Sequence, residues 1–381
     1  MKKVHTFLGL VLLLWGSTVI GQENCWIAPC EPHPCDPCGA AKSPFTFGGW
    51  VEMGIYGNSH GSRDNGPMHT ASNRRTDFLM NQLYFFGEKE LNTRRGFDWG
   101  ARADIVYGVD TGSKQTFGDE TFDYNWGTNR HGYGMSAYQL YGTLGYNDLS
   151  VKAGKFYTPV GWEGSASKDN FFYTHSYCYW IEAATHMGVV ADYHLTNRLT
   201  VSAGWVTGED SSFKNPNGNK AVLTGFTYAL ADNAAVYYYF NGGKQYHNEV
   251  DYFLQSVCLE WAVTNRFTYV MQYNLRNDNV RGGDRYSAYG INNHLLYKLN
   301  DRWAAGMRVE WLRDNGGYGY IAENGASGDY YQLTWGLNWN PHKNISIRPE
   351  VRYDWCKGAA PFAGYARKDQ ISGGCGVVVS F

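Results

Sequence analysis

The stretch Asn344-Ile-Ser-Ile-Arg-Pro-Glu-Val-Arg-Tyr-Asp-Trp355 alternates between apolar or aromatic residues and polar or charged ones. A β-strand places alternate residues on opposite faces, so this segment predicts a strand with one apolar and one polar side. The same period of two recurs at residues 97–107, 302–311 and 331–339, whereas residues 77–90 and 250–262 alternate poorly. From Phe45 onward the chain therefore predicts an all-β domain.

The connections between the predicted strands alternate between short and long. Short turns are predicted at residues 92–95, 147–148, 196–197, 231–233, 264–265, 300–301 and 341–343. Long polar, Gly-rich loops are predicted near residues 58–76, 109–135, 158–182, 208–220, 241–250, 275–286, 313–329 and 356–371. Bacterial outer-membrane barrels have even strand numbers, short periplasmic turns and longer external loops. The sequence therefore predicts a transmembrane antiparallel β-barrel of about 16 strands, with both termini on the short-turn side.

Two further features favour a membrane barrel over a soluble β-sandwich. Aromatic residues close both ends of the apolar face in the best strands, as in Trp303 with Trp311 and Tyr331 with Trp339. Such positions suit the aromatic girdles at the two lipid–water interfaces. The last strand, Cys375-Gly-Val-Val-Val-Ser-Phe381, ends in an aromatic residue. It resembles the C-terminal signature of outer-membrane barrels, which implies recognition by the barrel-assembly machinery through Phe381.

The N-terminal segment has the features of an export signal. Lys2 and Lys3 precede an apolar run from Phe7 to Ile20, which is shorter than the roughly 20 residues that a spanning helix needs. We expect residues 1–21 to be a signal peptide, 22–44 a Cys/Pro-rich periplasmic extension, and 45–381 the barrel. The mean hydropathy of −0.46 does not argue for a soluble protein, since a barrel alternates lipid-facing and water-facing residues.

The extension contains four cysteines between prolines, namely Cys25, Cys30, Cys35 and Cys38. In an oxidising compartment their first interpretation is two disulfides, for which three connectivities are open. A metal site formed by these thiolates with His33 is the alternative, although a lone Cys-x2-Cys is weak evidence for zinc. Within the barrel the sequence predicts no metal site, and no cofactor is expected.

The alternate strand residues that carry charge must face away from lipid, because an Arg or Lys side chain on the lipid face at mid-membrane costs about 2–4 kcal/mol. The predicted pore-lining residues are Arg102, Asp104, Lys152, Arg308, Glu310, Arg348, Glu350, Arg352 and Asp354. Mixed signs suit a general channel, and pairing of these charges to stiffen the wall is the alternative. The third long loop carries too many aromatic residues to leave in open water. We expect it to narrow the pore, with an external lid or a subunit contact as alternatives, through Glu163, Lys168, Asp169, Phe171, Phe172 and Tyr173.

Three motifs around the third loop are specific enough to compare with a known family. They read Leu149-Ser-Val-Lys-Ala-Gly-Lys-Phe-Tyr-Thr-Pro-Val-Gly-Trp-Glu163, Asn170-Phe-Phe-Tyr-Thr-His-Ser-Tyr177 and Thr185-His-Met-Gly-Val-Val-Ala-Asp-Tyr193. They resemble the OmpL-like β-barrel porin family. The resemblance runs from about residue 47 to 381 as an arrangement of strands and is motif-level at residues 149–193. The resemblance implies an outer-membrane channel. The family has no defined catalytic residues that could be assigned to this sequence.

The expected function is passive diffusion of small polar solutes or ions, because sixteen strands enclose an aqueous lumen. A non-conducting structural or adhesive outer-membrane barrel remains the alternative. A soluble secreted β-protein also remains open. An enzyme is not expected, because His186, His194 and His294 lie on predicted strands without any catalytic motif around them. The net charge of −2 excludes a polybasic nucleic-acid surface. A homotrimer is suggested by the architecture alone.

Overall fold

The structure is a computed structural model that describes residues 43–61, 77–113, 115–116, 122–123, 126–127, 132–212, 214–215, 218–316, 321 and 325–381. The predicted signal peptide and the cysteines of the extension lie outside the described residues. Within these ranges no helix is long and apolar enough to cross a membrane.

Sixteen antiparallel strands close into one barrel, which confirms the predicted fold. β1 closes the sheet by pairing with β16, where Trp50 lies opposite Ser380. The strands are β1 Phe45–Asn58, β2 Leu79–Lys89, β3 Phe97–Gly108, β4 Gly134–Tyr146, β5 Leu149–Tyr157, β6 Thr185–Thr196, β7 Leu199–Glu209, β8 Lys220–Ala231, β9 Ala234–Gln245, β10 Val250–Ala262, β11 Phe267–Val280, β12 Arg285–Lys298, β13 Trp303–Asp314, β14 Gly328–His342, β15 Ile345–Lys357 and β16 Asp369–Ser380. Short helical segments are α1 Tyr177–Trp180 and the 3-10 turns Thr93–Arg95, Val109–Ser113, Ser167–Asp169 and Tyr246–Asn248.

The two faces of the barrel wall have the polarity that a membrane requires. On the outer face Trp335 and Val351 are 48% and 52% exposed, whereas the inner-face Arg308 and Arg352 are fully buried. This distribution is the reverse of a soluble protein, in which exposed residues are mostly polar and charged ones are seldom fully buried. The alternation of apolar and polar residues in the sequence therefore corresponds to an apolar exterior and a polar interior of the barrel.

The predicted aromatic girdles are present at both ends of the outer face. Trp303 and Trp339 lie opposite each other near the short turns, with ring centroids 5.6 Å apart. Near the long loops Tyr331 stacks on Trp355 with ring centroids 5.0 Å apart and pairs in register with Trp311. Trp303 and Trp311 are eight residues apart, about 26 Å along a strand. Because barrel strands tilt by about 35–45°, this separation corresponds to a height of about 20 Å, somewhat less than an apolar band about 25 Å tall.

Two of the eight predicted long loops are wrong. β9 continues to Gln245 and β11 to Val280, so the predicted loops at 241–250 and 275–286 shrink to four residues each, 246–249 and 281–284. The polar residues there read as loops, yet Asn277 pairs with Ser287 and Asn279 with Arg285 in the ladder. Ladder hydrogen bonds use backbone groups, so polar side chains do not prevent pairing. The predicted short turns agree with the structure to within a few residues.

Candidate functional site inside the barrel

The third loop, residues 158–184 between β5 and β6, crosses the inside of the barrel. Near its start, Trp162 donates its backbone N–H to Gln272 on β11 (3.1 Å) and its indole N–H to Glu260 on β10 (3.3 Å). Further along, Tyr173 donates its hydroxyl to Asn81 on β2 (2.9 Å). β2 and β10 lie eight strands apart in a barrel of sixteen, on opposite walls. The loop therefore spans the lumen from wall to wall.

Arginines of the inner wall bind carbonyl oxygens of this loop. Arg308 donates to the carbonyls of Thr174 (2.6 Å) and His175 (3.1 Å), and Arg352 also donates to His175 (2.7 Å). Arg348 donates to two further loop carbonyls, those of residues 167 and 170. A guanidinium carries five N–H donors, so one side chain can satisfy several carbonyls of a non-repetitive backbone.

Carboxylates of the same wall bind the loop's N–H groups. Glu310 accepts hydrogen bonds from the backbone N–H groups of Tyr177 (2.7 Å) and Cys178 (2.6 Å), at the start of α1. The first N–H groups of a helix have no partner within it, so the carboxylate supplies one. Glu350 accepts from the N–H groups of Tyr173 (2.8 Å) and Thr174 (3.3 Å). Wall charges of both signs thus fix the loop's backbone.

Aromatic rings of the loop fit over inner-wall glycines. A Cβ at Gly306 would lie 2.3 Å from the Phe171 ring, and one at Gly336 would lie 3.0 Å from the Phe172 ring. Tyr173 lies against Gly54 and Gly376 in the same way. Phe171 and Phe172 contact each other edge to face with centroids 4.9 Å apart. Glycine inside a strand often marks a close approach, and here it makes room for a ring.

Charged residues of the loop are paired inside the barrel. Glu163 forms a buried ion pair with Arg308 (2.7 Å). Lys168 pairs with Asp169 (2.6 Å) and lies 5.3 Å from the centre of the Trp50 ring. Burial, reinforced by the nearby carboxylates Glu163 and Glu310, holds the pKa of Glu182 well above its usual value, although Asn274 and Gln272 donate hydrogen bonds to it.

The comparisons with known proteins agree with this architecture. The family model described as "Putative beta-barrel porin-2, OmpL-like" matches residues 44–381. The chain belongs to this family. Its location is therefore the bacterial outer membrane. No curated relative matches the chain.

Solved structures similar to this OmpL-like porin include an outer-membrane protein, a porin and an outer-membrane channel. OmpT of Vibrio cholerae in its trimer form is 13% identical, with 88% of this chain and 99% of that chain covered and a TM-score of 0.55. The anion-selective porin from Comamonas acidovorans is 10% identical, with 88% and 99% covered and a TM-score of 0.55. The outer-membrane channel DcaP of Acinetobacter baumannii is 11% identical, with 88% and 97% covered and a TM-score of 0.56. At these identities the likeness shows the fold alone.

The nine predicted pore-lining residues of the porin lie on the inner face, but most of them do not contact open water. Seven are buried to within 5% exposure: Asp104, Arg308, Glu310, Arg348, Glu350, Arg352 and Asp354. The third loop covers six of these seven, and that they line the pore stays a prediction. Asp104 is covered instead by Tyr84, Arg102 and Gln139, which all donate hydrogen bonds to it. Arg102 and Lys152 remain partly exposed.

Several residues of the site were not identified from the sequence. Glu52 pairs with Arg348, and Arg276 donates to the carbonyl of Ile181 (3.0 Å). Glu182, Gln272 and the inner-wall glycines were also missed. Inward-facing glycines within alternating strands were the one signal that could have indicated a covering ring. No group of three His, Cys, Asp or Glu side chains suited to a metal ion occurs among the described residues.

Proposed function

We propose that this porin lets small polar solutes and ions diffuse passively past the third loop. The observation that carries the proposal is the path of the loop, which crosses a barrel otherwise wide enough for an aqueous lumen. The loop is anchored to β1, β2 and β10–β15, whereas Arg102, Tyr141 and Lys152 on β3–β5 remain partly exposed. This arrangement supports a narrowed passage beside the loop, past the inner side chains that remain partly exposed, among them Lys152, Glu182 and Glu260.

Single-channel conductance in planar bilayers tests the proposal. Refolded protein, shown to be folded by heat-modifiable gel mobility, should give stable steps that increase with salt. Deleting residues 164–176 should enlarge the steps, because it removes the part of the loop that crosses to β2. Deleting the exposed tip at residues 363–365 serves as a control and should leave the steps unchanged. Equal conductance in the wild type and in a folded 164–176 deletion would refute narrowing by the loop.

A non-conducting structural or adhesive barrel is the second candidate, and one observation favours it. Inward-facing apolar residues of β5–β10, among them Val190, Val206, Leu223 and Leu254, are buried in one cluster. They occupy part of the inside of the barrel in addition to the third loop. Electrical silence from folded protein would favour this candidate over the pore.

Two assembly properties extend the proposal. We expect a homotrimer, supported by the trimer form of the similar OmpT, and light scattering in detergent measures it. We expect the assembly machinery to recognise Phe381, whose side chain is 58% exposed and contacts Phe85 with ring centroids 5.6 Å apart. A periplasmic extension with disulfides among Cys25, Cys30, Cys35 and Cys38 remains a prediction, and mass spectrometry of the unreduced protein checks it.

A further inference from the structure

The lumen holds more carboxylates than the sequence predicted. The twelve charged residues predicted for the pore and the loop were six cations and six carboxylates. The structure brings one further arginine, Arg276, to the inner side. It also brings many more carboxylates there, including Glu52, Glu88, Glu182, Asp192, Glu209 and Glu260. Among the described residues of the lumen, carboxylates therefore outnumber cations.

Two of these carboxylates are linked through Trp162 and Gln272, and among the described residues they bond only to uncharged donors. Glu260 on β10 accepts the indole N–H of Trp162, and the same Trp162 donates its backbone N–H to Gln272. Gln272 in turn donates to Glu182 (2.5 Å), as does Asn274 (2.5 Å). Glu182 and Glu260 both keep partial exposure, unlike the wall carboxylates under the loop. Neither carboxyl group therefore forms an ion pair with a described residue, and neither is fully covered.

A third oxygen, on the strand that pairs with Gln272, lacks a donor among the described residues. Asn292 on β12 lies directly opposite Gln272 in the ladder. Its side chain is fully buried, and its Oδ1 accepts no hydrogen bond. Buried polar atoms in proteins almost always have a partner, so an orphaned acceptor indicates a missing donor or cation. Two carboxylates and an amide oxygen are the hard oxygen ligands that small cations prefer.

We propose that this porin selects for cations, with Glu182 and Glu260 as the residues that set the preference. The proposal rests on the proposed function, since it names the charge of the solute that the pore would pass. A cation, inorganic or a small organic ammonium, would exchange part of its hydration shell for these oxygens beside Trp162. Carboxylate groups along a passage select cations in this way.

Lys152 provides a test in which the expected change in ion preference has the opposite sign. Its ammonium lies 4.8 Å from the centre of the Tyr141 ring and 5.6 Å from that of Phe156. It forms no ion pair with any described residue, although Asp192 and Glu88 act on it electrostatically. Removing this charge should therefore strengthen a preference for cations, whereas removing Glu182 and Glu260 should weaken it.

Reversal potentials across a potassium chloride gradient at pH 8 and low ionic strength test the proposal. The wild type should favour K⁺ over Cl⁻. Glu260→Gln should lower the permeability ratio roughly 16-fold, because one unit charge about 5 Å from an ion in water favours K⁺ roughly fourfold and disfavours Cl⁻ by the same factor. The pair Glu182→Gln with Glu260→Gln should lower it further, and Lys152→Gln should raise it. The preference should fade at high salt, where the Debye length shortens.

The matched control lies on the same strand as Glu260 but on the outer face. Asp251 is exposed and pairs with Lys244, so Asp251→Asn should leave the ratio unchanged. Folding of every variant is checked by heat-modifiable mobility, and the single Glu260→Gln is used if the pair fails to fold. Channels that favour Cl⁻, or a ratio equally insensitive to Glu260 and Asp251, would overturn cation selection while the pore stands. Silence from folded wild type would overturn the pore, and cation selection with it.

Discussion

Replacing Arg308 with Met should release the third loop from the wall. Arg308 is fully buried and donates to the Glu163 carboxylate, to the carbonyls of Thr174 and His175, to the Thr174 hydroxyl and to Gln332. Met preserves most of the buried volume but leaves the Glu163 charge without its cation. Breaking a buried ion pair in this way costs about 3–5 kcal/mol. The Thr174 carbonyl also loses its donor, which adds to that cost, whereas the His175 carbonyl keeps the hydrogen bond from Arg352.

The cost should appear as opening of the loop, because the sixteen-stranded wall keeps its ladder. Each 1.4 kcal/mol is a factor of ten, so a loss of about 3 kcal/mol raises the open population by roughly 150-fold. Cys178 reports the opening, since it lies in the loop with a fully buried free thiol. Maleimide labelling of Cys178, followed by mass spectrometry of its peptide, measures the change. Single-channel steps should become larger or noisier in parallel.

Two variants make this test specific. Arg313→Met alters the same strand on its outer face, where Arg313 pairs with Asp329 (3.2 Å) and is partly exposed. It should leave Cys178 protected. Combining Arg308→Met with Glu163→Gln removes the orphaned charge and should recover part of the protection, as a double-mutant cycle would show. Unchanged Cys178 labelling in folded Arg308→Met would refute the view that the wall charges hold the loop.

Three further predictions follow from the same geometry. Gly306→Ala should lower the free energy of unfolding by about 1–3 kcal/mol, because the new Cβ displaces Phe171 from its place on the wall. Urea titration measures this change. Gly142→Ala is the control and should have a far smaller effect, because the nearest atom to its new Cβ would be 3.9 Å away. The cation preference should grow as pH rises, because the raised pKa of Glu182 means that its carboxyl gains negative charge only above its usual range. Reversal potentials at stepped pH should show that growth in the wild type and less of it in Glu182→Gln. Removing Phe381 should reduce the amount of protein in the outer membrane, measured by quantitative blotting, and chain refolded in detergent should still reach the heat-modifiable form.

The barrel could be predicted because each of its causes is local in the sequence. Alternation over Asn344–Trp355 fixes which side chains face lipid, and paired aromatic residues such as Trp303 and Trp339 mark where the lipid ends. The predictions of long loops near 241–250 and 275–286 were wrong for an equally local reason. Strand pairing beyond the membrane needs no apolar face, so the signal used to recognise strands disappears before the strands do.

The interior could not be predicted in the same way, because the partner of each wall charge lies far away along the chain. Arg308 meets Glu163 across a separation of 145 residues, and Arg348 meets Glu52 across 296. A period of two predicts that the Arg308 side chain points into the barrel. It does not predict whether that side chain contacts water or a loop there. The aromatic content of residues 171–180 indicated that the loop would be covered, and the inward-facing glycines were a second signal.

The same anchoring explains how balanced wall charges can coexist with a selective passage. Arg308, Arg348 and Arg352 are each bonded to the loop backbone and to a carboxylate, so their positive charge is neutralised where it lies. Glu310 and Glu350 are covered in the same way by backbone N–H groups. A diffusing ion therefore responds mainly to the groups left partly exposed, among them Glu182, Glu260 and Lys152. Selectivity in this barrel then depends on which charges the loop leaves exposed, and a change that frees the loop should alter ion preference as well as conductance.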